Sequence, residues 1–196
     1  MFRLIMFLFA AVLAWQWLWP AQTIALGPGV MAGETPMQQG TGDREAFMLE
    51  DYRVTPLADF SIRAKLLSRK SYFIGQEADL SPVDFTLGWG PMSDEELLKD
   101  IEISQSGRWY RWRTSNSSIP LSDIARNSAN MHIIPADEAV EDLIDDVIVG
   151  QIVDLSGYLV RIDADDGWRW VSSLTREDTG AGACELFYVQ QVRTVY

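Results

Sequence analysis

Between Gly150 and Val195 the chain carries a pattern that few folds accommodate. Val153, Leu155 and Leu159 are spaced for the buried side of a strand, and Gly157 falls inside that run. A glycine within a strand marks a sharp bend or a close backbone approach, which a small barrel needs where its sheet coils. Asp165-Asp166-Gly167 is a hairpin signal, and Trp168-Arg169-Trp170-Val171 begins the return strand. Ser172 to Glu185 then reads as a loop with Gly180, Gly182, four charges and the only cysteine, before a last apolar strand.

Ahead of this stretch lies the clearest helix, Ala136 to Ile148. Ala136, Ala139, Val140, Leu143, Ile144 and Val147 fall on one face, and Asp137, Glu138, Glu141, Asp142, Asp145 and Asp146 on the other. The acids at its end oppose the helix dipole and repel one another, so burial of the apolar stripe must hold it. A helix entering a bent strand, followed by a hairpin and a closing strand, predicts an α+β domain. The expected form is a small OB-like β-barrel of about six strands with two or three helices.

Earlier segments fit the same class. Phe60, Ile62, Ala64 and Leu66 alternate with Ser61, Arg63 and Lys65, as in a half-buried strand. Ser81-Pro82 is expected to open a helical turn, and Ser93-Asp94-Glu95-Glu96 to cap a helix running to about Lys99. Ile101 to Trp112 reads as strand, turn at Ser106-Gly107, and strand; Asn130 to Ile134 as a further short strand. Pro120 to Arg126 reads as one helical turn.

With Lys+Arg 16 against Asp+Glu 28, the formal charge of −12 argues against nucleic acid, whose binding needs cationic surface to release counterions. One cysteine means no internal disulfide. Leu4 to Trp19 is almost wholly apolar, with Arg3 before it and no further Lys or Arg until Arg44. By the positive-inside rule the start stays in the cytoplasm and the rest crosses. Residues 1–26 are therefore expected to form a transmembrane anchor, with a cleaved signal peptide as the competing reading. Pro28 makes Ala25-Leu26-Gly27 a poor cleavage site. Residues 27–48, rich in Gly, Pro, Gln and Thr, read as a flexible tether, and 49–196 as a single domain.

Four motifs carry a resemblance: Gly88-Trp89-Gly90-Pro91-Met92-Ser93-Asp94, Gln105 to Tyr110, Ser128 to His132, and Ser173-Leu174-Thr175-Arg176 through Cys184-Glu185. Together they look like the landmarks of a bacterial family with an N-terminal apolar segment and one small domain, a family without an established activity. The resemblance implies a bacterial source. With the charge distribution around the apolar segment, that source gives the expected placement: the inner membrane, a single pass, and the domain facing the periplasm.

The sole histidine, His132, and Cys184 invite a nucleophile–base reading, since a thiolate needs a base or a positive field at neutral pH. The plainer reading is a packed thiol and a structural histidine. Asp178-Thr179-Gly180-Ala181 matches a short aspartic-protease motif, but one copy supplies one carboxylate, and the flanking Thr175-Arg176-Glu177 is polar. The acids of the helix read as a solvated face, so neither metal nor cofactor is expected. Trp109, Arg111 and Arg113 point one way along a strand, and Arg108, Tyr110 and Trp112 the other; Trp168 and Trp170 share a face opposite Arg169. Guanidinium beside indole can form a platform for a sugar or peptide, and Arg176 and Asp178 in the following loop join this candidate ligand-binding set. The competing reading makes the tryptophans core, with arginines snorkelling from their edges. The function expected is a membrane-tethered, extracytoplasmic, non-catalytic module binding an envelope protein or glycan. The alternative is a thiol-dependent hydrolase using Cys184 and His132.

Overall fold

The computed structural model describes residues 22–42, 44–175 and 184–195. It is a mixed α+β structure, mostly strands, with four short helices among the described residues. Strands β1 (Met37–Gly40) and β2 (Phe47–Leu49) both pair antiparallel with β3 (Tyr52–Ser71), the long alternating strand expected around Phe60. After α1 (Gln76–Leu80) comes β4 (Val83–Gly88), a 3-10 turn at Gly90–Ser93, and α2 (Glu95–Leu98). The hairpin β5 (Ile101–Ser106) and β6 (Trp109–Thr114) forms its own two-stranded sheet. Then follow α3 (Leu121–Arg126), β7 (Ser128–Pro135), α4 (Glu138–Asp145), β8 (Ile152–Ala164), β9 (Arg169–Val171) and β10 (Glu185–Thr194).

Five strands pair in a circuit. β3 pairs with β4, β4 with β7, β7 with β10, β10 with β8, and β8 again with β3. All are antiparallel except β7 with β10, where α4 and β8 intervene in the chain. One face of the circuit presents Phe60, Ile62, Leu66, Phe85, Met131 and Phe187, buried in a first core. Gly157 lies where β8 and β10 approach most closely: a Cβ there would meet Tyr188 O at 2.0 Å. That approach sits beside a register shift in β10 between Val189 and Gln191.

Helix α4 closes over the first core with Val140 and Ile144, and Val147 follows just past its end. Asp137 caps it, its carboxylate accepting from Val140 N at 2.9 Å. Leu143, expected on the buried face, is 49% exposed. The helix has only two turns, so the strands meet the narrow line of 140 and 144 and leave 143 at its edge.

Two further expectations are corrected at helix ends. Ser81 lies at the C-terminal end of α1 rather than at a start, and Pro82 leads into β4, where its missing N–H takes no ladder bond away. The cap of α2 is Asp94, which accepts from Glu96 N; the Ser93 hydroxyl instead receives the N–H groups of Met31 and Ala32 at 3.1 and 3.0 Å. Leu26 and Gly27 N–H donate to the Glu95 carboxylate at 2.7 and 2.8 Å, and Gly29 N–H to Asp94 at 2.9 Å. Burial alone would raise the Glu95 carboxyl, but Lys65 and these two N–H groups together hold it below the usual range. The stretch expected as a flexible tether, 27–48, thus carries β1 and β2 and is strapped to Ser93, Asp94 and Glu95.

Residues 1–21, and with them most of the expected anchor, lie outside the described residues. Among the described residues no helix is long and apolar enough to cross a membrane.

Candidate functional site: a buried polar network beneath a hairpin

Strands β4 and β7 pair so that Asp84 lies opposite His132 and Thr86 opposite Asn130. Their neighbours Val83, Phe85, Leu87, Met131 and Ile133 point into the first core, so the four polar side chains share the opposite face. That face is covered, and all four residues are buried. The cover is the β5–β6 hairpin, whose turn has Gly107 at φ 59° and Arg108 at φ 67°. Two successive left-handed residues give a tight turn whose twist matches the strands. For Arg108 the conformation costs energy, which its side-chain contacts offset.

The Arg108 guanidinium reaches the Asp84 carboxylate at 2.7 Å and donates to Ser81 O at 2.9 Å. It also lies over the Tyr72 ring at 3.8 Å and near the Trp170 ring at 5.6 Å. His132 Nδ1 is 2.8 Å from Asp84 Oδ1. A carboxylate only accepts, so Nδ1 carries the proton. The imidazole rests against Trp170 with ring centroids 4.9 Å apart. Asn130 donates to Arg108 O at 3.2 Å and to Asp84 at 3.4 Å, and Gln105 donates to Asn130 Oδ1 at 2.7 Å. Asp84, Arg108, Asn130 and Gln105 are each engaged, and His132 is engaged through Nδ1. The network holds the hairpin onto the β4–β7 face.

Cys184 comes to the rim of this network, but not as the partner of His132. In the parallel ladder Leu186 stands beside His132, and Cys184 lies two residues before it. Its Sγ contacts Arg108 O at 3.8 Å. Burial pushes the thiol up to about 11, and the charges of Glu185 and Asp84 push the same way. A thiolate nucleophile needs the reverse field.

The other candidates divide. Arg111 and Arg113 are exposed on the outer face of β6 with Trp109, while Arg108, Tyr110 and Trp112 face inward as the alternation implied. Trp112 packs on a third core of Met92, Ile101, Ile119 and Ile124. Trp168 and Trp170 lean on a second core around Val54, Ile134, Ile162 and Leu186, and Arg169 is exposed and paired with Asp163 at 2.7 Å. Trp168 and Trp170 are therefore packed, with Arg169 outside them. Arg176 and Asp178 lie outside the described residues. Asp84, central to the network, was not singled out from sequence, and Gln105 entered only as the first residue of a motif. A usable signal existed: polar 84 and 86 interleave with apolar 83, 85 and 87, and polar 130 and 132 with apolar 129, 131 and 133. Among the described residues no group of three or more His, Cys, Asp or Glu is placed to hold a metal ion. The chain matches no family model, no curated protein and no solved structure.

Proposed function

We propose that the chain is a non-catalytic binding module on an OB-like barrel, tethered to the bacterial inner membrane by the apolar segment ahead of Gln22, with its domain in the periplasm. Residues 23–26, first assigned to the anchor, lie on the domain, where Ile24 N–H donates to Val149 O at 2.8 Å and Leu26 N–H to Glu95 at 2.7 Å. The barrel reading rests on the pairing circuit. Following ladder partners from Ser71 through Val83, Ile133, Phe187 and Leu159 leads back to β3 at Ala58, thirteen residues upstream. A stagger of this kind is what closing a few tilted strands requires. The one parallel pair, β7 with β10, and the helix before β8 are the order expected of that barrel.

The single observation that carries the non-catalytic reading is the engagement of the chemically able groups. The Asp84 carboxylate is bonded by His132 and Arg108, and burial together with the charges of Glu185 and Asp84 opposes ionisation of the Cys184 thiol. Such groups hold a surface in place. Iodoacetamide labelling of the folded chain between pH 5 and 9 tests this: the module reading expects slow labelling throughout and rapid labelling only after denaturation. Rapid labelling below neutral pH, lost in His132→Ala, would establish the thiol-hydrolase alternative instead. The topology is tested separately by an alkaline phosphatase fusion after Tyr196, which is expected to be active; an inactive, stably expressed fusion refutes the periplasmic placement.

A further inference from the structure

The outer face of β1, β3, β8 and β10 is built as a trough, and the ladders show why. Arg63 stands opposite Asp154, with Arg193 on the far side of the same aspartate. One rung along, Ser61 stands opposite Ser156, flanked by Met37 on β1 and Gln191 on β10. At the next rung Asp59 stands opposite Tyr158, flanked by Gln39 and by Tyr188. Short serines in the middle and long side chains on both sides leave a furrow. Three surface hollows follow it without interruption, sharing Ser61 and Ser156 at one junction and Arg44, Tyr158 and Gln190 at the other. The largest, around Arg63 and Arg193, encloses about 870 Å³. From Arg63 to Pro56 the floor spans about 23 Å of strand.

The chemistry of this furrow restricts what fits it. Its arginines are matched by acids within it: Arg44 with Asp59 at 3.0 Å, Arg63 with Asp154 at 2.6 Å, and Arg193 with the same Asp154. A polyanion needs cations whose counterions it can displace, and the chain as a whole carries −12. An extended peptide gains its affinity from backbone bonds at a sheet edge, whereas these side chains stand on a sheet face whose backbone groups already serve the ladders. A hydroxyl both donates and accepts, which suits a surface alternating carboxylate, guanidinium, carboxamide and serine hydroxyl. At one end Tyr158 lies parallel to Tyr188, with interplanar angle 4° and centroids 6.2 Å apart, and Phe47 tilts against Tyr188 at 5.0 Å. Tyr188 is itself buried, so the half-buried Tyr158 ring is the aromatic surface the furrow offers to the C–H face of a sugar.

The geometry points to this furrow as the binding site for a neutral oligosaccharide chain, laid along β3 and β8 from Arg63 toward Tyr158. The assignment deepens the binding-module reading and rests on it. It differs from the tryptophan–arginine faces that sequence alone brought forward, since neither Trp109 nor Trp168 borders the furrow. Arg44 lies over the Tyr158 ring at 4.8 Å, so a sugar stacks there only with Arg44 displaced.

The test uses the full chain in lipid nanodiscs, titrated with cellohexaose, maltohexaose and chitohexaose, and with a heparin hexasaccharide for comparison. Calorimetry should give saturable binding of at least one neutral hexaose, and amide shifts should concentrate at 37–40, 59–63, 154–158 and 190–193. Ser156→Tyr fills the floor and should weaken binding about tenfold or more. Gln191→Ala, at the exposed rim, should weaken it severalfold with thermal unfolding unchanged, which separates a lost site from a lost fold. Three results overturn the assignment: no neutral hexaose binding at millimolar concentration, binding that both variants leave intact, or preference for heparin. Failure here with an inert Cys184 leaves the module reading standing; rapid Cys184 alkylation removes that reading itself.

Discussion

Replacing Asp84 with alanine is expected to cost this fold about 3 kcal/mol, toward the lower end of the about 3–5 kcal/mol seen when one partner of a buried ion pair is removed. Asp84 is fully buried, and its carboxylate takes a bond from Arg108 at 2.7 Å and one from His132 at 2.8 Å. Two hydrogen bonds with a charged partner, at about 1.5–3 kcal/mol each, lead to the same range. The lower end applies because Arg108 keeps Ser81 O at 2.9 Å and the half-exposed Glu77 at 3.5 Å. Its charge is thus left poorly compensated rather than isolated. Urea unfolding of a chain starting at Gln22, followed by tryptophan fluorescence, measures the loss. Asp84→Ala within about 1 kcal/mol of wild type would refute the claim that this network clamps the hairpin.

Three other substitutions probe separate parts of the argument. Gly157→Ala places a Cβ 2.0 Å from Tyr188 O and should destabilise by about 3 kcal/mol or more, with amide exchange accelerated first in β8 and β10. Ile144→Asp should unfold the domain by burying an unpaired charge, whereas Leu143→Asp at the exposed edge of α4 should shift stability by only about 0.5 kcal/mol; equal effects would mean the helix packs differently. Asp154 is held below the usual carboxyl range by Arg63 first and Arg193 second. A depressed folded pKa adds stability above the unfolded value of about 3.9 and loses it as pH falls through the folded one, so urea midpoints below pH 4 should fall less steeply in Asp154→Asn than in wild type.

The features legible in the sequence are those whose cause is local. Gly157 interrupts an apolar strand, Asp165-Asp166-Gly167 makes a turn, and the spacing of Val140, Ile144 and Val147 marks the buried line of α4. The buried network was not legible, because Asp84 and His132 are 48 residues apart and meet only through strand register. A polar residue alternating with apolar ones reads as solvent-facing until a second element covers it, and here the cover is a hairpin that follows β4 in the chain. The strap at 26–32 was hidden for another reason. It is held by its backbone N–H groups, received by Ser93, Asp94 and Glu95, so its own side chains need no period.

The same holds for the rarest residues, whose surroundings are set by distant parts of the chain. A lone histidine and a lone cysteine draw attention by their scarcity, yet scarcity says nothing about the field around them. His132 donates its Nδ1 hydrogen bond to a buried carboxylate, and burial first, then the nearby acids, hold Cys184 as a thiol. The furrow, by contrast, is made from Asp59, Ser61 and Arg63 on one strand and Asp154, Ser156 and Tyr158 on another, two ordinary polar alternations. Only their register brings serine opposite serine and arginine opposite aspartate, and only β1 and β10 raise its walls. A recognition surface assembled across four strands belongs to no segment of the chain. Any chemistry it performs must come from the spacing of common side chains.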